Sequence, residues 1–217
     1  RAVFFSIIGK VWSMAAGLVT ALLIALFFVP ELQGFYYTFN SVLAFQAFAE
    51  LGLGSVLTYY ASHEWAKLAI DHRGQVTGDA DALSRLTSLG RFAFKWYLAA
   101  GAGMAVALGI GGYVFFSGAG EQAFSWKIQW LVLCLVTGVN LFLVPVWALL
   151  EGCNQVSNVY AFRLIQYVAS GLAAWVAICL GAGLWVPSII GVAGLLAMVA
   201  TVGRRYGGFV RAILLTP

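Results

Sequence analysis

A carboxylate inside a long apolar run has few states open to it. Glu50 lies in the run Phe35–Ala61, eleven residues before its end and in step with Gln46, Gly54 and Thr58 at four-residue spacing. At bilayer depth such a group must be protonated, paired or facing water. Lys10 is its nearest partner in depth, carried by the stripe Ser6, Lys10, Ser13, Gly17 and Thr20, whose spacing keeps it on one helix face. Two further stripes follow the same spacing. One is Thr137, Asn140, Val144, Trp147 and Glu151, passing Pro145, which predicts a kink or hinge; the other is Tyr160, Arg163, Tyr167 and Ser170, with Gln166 alongside. Each stripe has two readings. It lines a wet cavity, or it does structural work: Lys10 and Arg163 snorkel to headgroups, while Glu50, Asn140 and Gln46 hydrogen-bond between helices.

Several chemistries are missing. Gly54-Ser55 offers a serine in a glycine-rich turn, but both histidines, His63 and His72, fall in the polar stretch 62–90, so no serine–histidine dyad forms at depth. There is no Walker A sequence, no HExxH and no paired-aspartate motif. Cys134, Cys153 and Cys179 are odd in number and have no metal-ligand spacing, so they read as small core residues without a disulfide. An enzyme, a resident metal and a cofactor are not expected, and nucleic acid is not an expected partner.

The elements that position these residues follow from composition. The 217 residues are 62% hydrophobic and 9% charged, which excludes a soluble domain, since so few charges cannot coat a globule of this size. Six apolar runs, each long enough to cross a hydrocarbon core as a helix, are Phe4–Val29, Phe35–Ala61, Phe92–Phe116, Ile128–Leu150, Val159–Leu180 and Pro187–Val202. Continuous runs rather than alternation indicate helices, so the expected class is all-α: a polytopic bundle of six transmembrane helices. The glycines of the third run, Gly101, Gly103, Gly109, Gly111 and Gly112, read as close-packing positions.

Of the 12 lysines and arginines, Lys127 alone falls in the loops Pro30–Gly34, Ser117–Lys127 and Gly181–Val186. That bias predicts cytoplasmic termini and a cytoplasmic 62–90 loop. Trp126, Trp130 and Trp185 read as an outer aromatic belt and Trp96 as an inner one. The loop is expected to hold two short amphipathic pieces, Glu64–Ile70 and Ala82–Leu89, the second capped by Asp79 or Asp81.

The stretch from Gly34-Phe35-Tyr36-Tyr37 through Phe48-Ala49-Glu50-Leu51-Gly52-Leu53-Gly54-Ser55 to Tyr59-Tyr60-Ala61 resembles the second span of polysaccharide flippases. These are the O-antigen and lipopolysaccharide-biosynthesis transporters of the multidrug/oligosaccharidyl-lipid/polysaccharide exporter superfamily. The segment from Leu150-Glu151-Gly152-Cys153-Asn154-Gln155 into Tyr160-Ala161-Phe162-Arg163 is similar to that family's junction between fourth and fifth spans. The resemblance implies a multi-pass protein of the bacterial cytoplasmic (inner) membrane. It would flip a polyprenyl-diphosphate-linked oligosaccharide to the outer leaflet by alternating access between two six-helix lobes. Lys10 and Arg163 would then meet the diphosphate, Asn140, Trp147, Tyr160 and Gln166 the sugars, and Glu50 would carry a coupling proton or offset Lys10.

Family members have 12 to 14 spans, so the chain, which starts at Arg1 and stops at Pro217, is read as the N-terminal lobe of a longer protein. Its partner is then a second lobe, or in a half-size unit a second copy, with lipids around both. Two alternatives stand beside this reading. A cation-coupled multidrug exporter of the same superfamily would have an acidic, apolar cavity. A non-transporting scaffold would bury its polar stripes in helix contacts.

Overall fold

The computed structural model describes residues 2–50, 52–70, 76–117 and 125–215. The described residues are helical apart from turns and one small hairpin. Among the described residues, five helical segments are long and apolar enough to cross a membrane: α1 (Ala2–Phe27), α5 (Ala80–Ser117), α6 with α7 (Lys127–Phe142 and Val144–Gly152), α8 (Val156–Cys179) and α9 (Val186–Leu215), entered through a 3-10 turn at Gly183–Trp185.

The expectation of six unbroken helices is corrected at the second run. It folds as three pieces, α2 (Pro30–Leu43), α3 (Gln46–Glu50) and α4 (Leu53–Trp65). Near the first break, Thr38, Asn40 and Ser41 turn their side chains back onto the carbonyls of Gly34, Tyr36 and Tyr37 at 2.7, 2.8 and 2.9 Å. Such back-bonding bends helices. The second break is set by Gly52, whose φ of 72° is left-handed. A side chain is strained there, and glycine is not.

The segment still runs the length of the bundle. Phe39 of α2 packs with Phe116, Trp126, Trp130 and Leu184, whereas Ala61 of α4 packs with Leu86, Cys153 and Phe209. The turns near Pro30, Lys127 and Gly183 therefore gather at one end, and Trp65, the hairpin and the α7–α8 turn at the other.

Other boundaries also differ from the sequence reading. The third run begins twelve residues early, because α5 absorbs the stretch 80–91 and continues as one 38-residue helix. Asp79 caps it, its carboxylate accepting the Asp81 N–H at 3.2 Å. The expected piece Glu64–Ile70 is instead the end of α4 and strand β1 (Leu68–Ile70), paired antiparallel with β2 (Val76–Gly78). His72 lies outside the described residues, as does most of the loop after Ser117. The basic tail belongs to α9, which kinks at Tyr206. There the Tyr206 hydroxyl donates to Gln155 at 2.6 Å and accepts from Asn158 at 2.8 Å, tying α9 to the start of α8. The chain bends at Leu143-Val144, just before Pro145, as the proline predicts.

Small residues set the helix spacing. Gly101 and Gly138 bring α5 and α6 into backbone contact, and a Cβ on either would come within 2.6 to 2.7 Å of the opposite carbonyl oxygen. Gly112 is likewise filled by the Trp130 ring. Gly103, Gly109 and Gly111 do not mark close packing, since a Cβ on each would meet nothing within 4 Å. Trp126 and Trp130 are buried core residues rather than a belt: Trp130 packs edge-on against Phe39 and Phe116, and Trp126 lies tilted against Phe116. Trp96 and Trp185 are exposed. Cys134 and Cys153 are buried, but Cys179 is exposed and so is not a core residue.

Candidate functional site

Four helices converge on a polar cavity of about 350 Å³. Its walls are Glu50 from the last turn of α3, Gly54, Ser55 and Thr58 from α4, Val144, Trp147, Ala148 and Glu151 from α7, and Arg163 from α8. The break at Gly52 opens this space, since it leaves Glu50 at the end of a short helix beside the start of the next. Discontinuous helices of this kind are where transporters place their sites.

The α4–α7 contact holds the wall rigid. Gly152 sits against Ala61 and the Thr58 carbonyl, where a Cβ would come within 2.6 and 2.7 Å. The Thr58 hydroxyl lies 3.0 Å from its own Gly54 carbonyl and 3.1 Å from the Ala148 carbonyl across the interface. After α7 the chain reverses through Asn154, at φ 59°, with Cys153 and Gln155 donating backbone bonds to Leu149 and Leu150 at 2.8 and 3.0 Å. Arg163, about two turns into α8, thereby returns to the level of Glu151.

The charges are arranged unevenly. The Arg163 Nη2 lies 3.0 Å from the Glu151 Oε1, with about a third and a fifth of the two side chains exposed. The guanidinium also stands 5.7 Å from the Trp147 ring centroid and 5.9 Å from that of Tyr160. Glu50 makes no ion pair among the described residues and is half-buried. It lies within electrostatic reach of Tyr97, whose buried hydroxyl has no hydrogen-bond partner among the described residues. Two carboxylates thus share the cavity with one guanidinium. Such a site can exchange the Glu151 carboxylate for another oxyanion on Arg163, and Glu50 can take up a proton or attract a cation.

Of the residues expected from the sequence, the structure brings Glu50, Trp147 and Arg163 to the cavity and places Tyr160 against Arg163. The others lie elsewhere. Lys10 is exposed on α1 and pairs with no acid among the described residues, because α1 packs along α8 rather than against Glu50. Of its stripe, Thr20 accepts the Trp175 indole N–H at 3.0 Å, and Ser13 and Gly17 line a shallow groove shared with Tyr167 and Ser170. Asn140 donates to Val136 one turn back at 2.9 Å and faces Gly191 of α9. Gln166 faces Gly194 of α9. Both amides stand at helix contacts. Glu151, Ser55 and Thr58 complete the site, and the first and last already stood in the stripes through Trp147 and Glu50. No group of three metal-ligating side chains occurs among the described residues.

No family model, curated protein or solved structure matches the chain.

Proposed function

We propose that this chain is a helical lobe of a membrane transporter that carries a polyprenyl-diphosphate-linked oligosaccharide across a bacterial cytoplasmic membrane, working by alternating access with a second lobe or a second copy. Its crossings number six, one of them discontinuous. The observation that carries the reading is Arg163 in the open cavity, bound to one carboxylate and flanked by Trp147 and Tyr160. A diphosphate offers oxyanions of the kind Glu151 places beside Arg163 and competes for the guanidinium. The two aromatic faces suit sugar rings. Glu50, without an ion pair among the described residues, is the group available to couple a proton.

The test is complementation of a strain that lacks the transporter. Arg163→Ala and Glu50→Gln in the full-length protein are expected to abolish surface polysaccharide with normal membrane insertion, whereas Lys10→Ala leaves it intact. Normal surface glycan in both cavity variants would overturn the assignment.

A second reading has one observation in its favour. Two carboxylates against one guanidinium leave the cavity with excess negative charge, and Lys10 stands outside it. This favours a cation-coupled exporter of cationic compounds. Under it, Glu50→Gln sensitises cells to cationic drugs and surface glycan is unchanged.

A further inference from the structure

The seam between α5 and α6 carries a second cavity, of about 540 Å³, which shares no residue with the polar one. Its walls are apolar: Val106, Ile110 and Val114 on α5, Leu131 and Leu135 on α6. Its floor is Gly109, where a Cβ would meet nothing within 4 Å, so the groove exists because that side chain is missing. From Val106 to Tyr113 it extends about 10 Å along α5.

The groove ends at a cation. Tyr113 closes it, and the Lys127 Nζ stands 5.8 Å from the Tyr113 ring centroid. Lys127 is exposed and makes no ion pair among the described residues. It occupies the first turn of α6, which has no side-chain cap and no acidic residue, so the ammonium belongs to a turn whose backbone N–H groups no side chain caps. A lysine at a helix N-terminus is unfavourable by itself and becomes favourable when an anion sits there.

We propose that this groove binds an anionic glycerophospholipid from the leaflet on the Lys127 side. One acyl chain lies along the Gly109 floor, and the phosphate rests on the Lys127 ammonium and the start of α6. The shape suits a lipid because the site is apolar along its length and cationic only at the membrane-surface end.

The test is native mass spectrometry of the full chain, released from micelles containing equal phosphatidylglycerol and phosphatidylcholine. The wild type is expected to retain phosphatidylglycerol about fivefold over phosphatidylcholine, the preference expected from one lysine at a membrane surface. Lys127→Glu is expected to remove that preference. Gly109→Leu, which fills open space and leaves the α5–α6 contact at Gly101 untouched, is expected to reduce retention of both lipids. Equal retention of the two lipids by the wild type, or unchanged retention in both variants, would overturn the proposal.

Discussion

Glu151 on α7 and Arg163 on α8 form an ion pair of 3.0 Å in the wall of the polar cavity, and the turn through Asn154 that joins their helices is what brings them level. The pair is neither fully buried nor free in solvent, so removing one member leaves an uncompensated charge in a partly dry site. Arg163→Ala and Glu151→Ala are each expected to lower stability by about 1–3 kcal/mol, with the double variant less destabilised than the sum. Thermal unfolding of the four proteins of the cycle in detergent checks this. Strictly additive losses would show that the pair contributes no coupling.

Gly152 docks α4 on α7 and so holds the Thr58 and Ala148 side of the cavity in place. Any larger residue must push the two backbones apart. Gly152→Leu is expected to cost about 1–3 kcal/mol, the usual range for overpacking, and to increase protease cleavage near the Gly52 break. Gly103→Leu, on open space, is expected to be tolerated. Limited proteolysis and melting temperatures of the two variants compare them directly.

The all-α class and the course of five long helices are legible in the sequence, because apolar length alone decides where a helix can cross, but the count of six unbroken spans is not. What misled was the second run. Its hydropathy is continuous, yet Thr38, Asn40 and Ser41 weaken the helix from within and Gly52 stops it, and hydropathy does not register backbone bonding. The site was legible in part. Glu50 stands out as a deep carboxylate and Arg163 as a shallower cation on a polar stripe, but Lys10 has the same signature as Arg163 and lies outside, since periodicity gives the face of a helix and not its neighbour. Glu151 stood on a recognised stripe; only the fold shows that its partner is Arg163. The glycines of α5 divide for the same reason, Gly101 and Gly112 meeting α6 while Gly109 meets open space.

The cysteines offer a test of burial that needs no ligand. Cys153, in the α7–α8 turn, is fully buried, and burial pushes its thiol up from the ordinary 9.0 to about 12. The folded state therefore holds the proton more tightly than the unfolded state. Its contribution is intact below pH 9 and is lost as pH rises from 9 toward 12. Near neutral pH, maleimide is expected to label exposed Cys179 and to spare Cys134 and Cys153 until denaturant is added. Prompt labelling of Cys153 in the folded protein would contradict the packing of this turn.

The central claim, that the cavity at the helix break carries a diphosphate-linked cargo on Arg163, is tested most directly by flipping in proteoliposomes. The full-length protein would be reconstituted with a fluorescent polyprenyl-diphosphate oligosaccharide, and the fraction reaching the opposite leaflet followed by quenching. Arg163→Ala is expected to slow transfer at least about tenfold, the loss expected when a charge-assisted contact of ~1.4 kcal/mol or more is removed. Lys10→Ala should match the wild type. Equal rates for the wild type and Arg163→Ala, or a loss confined to Lys10→Ala, would contradict the account.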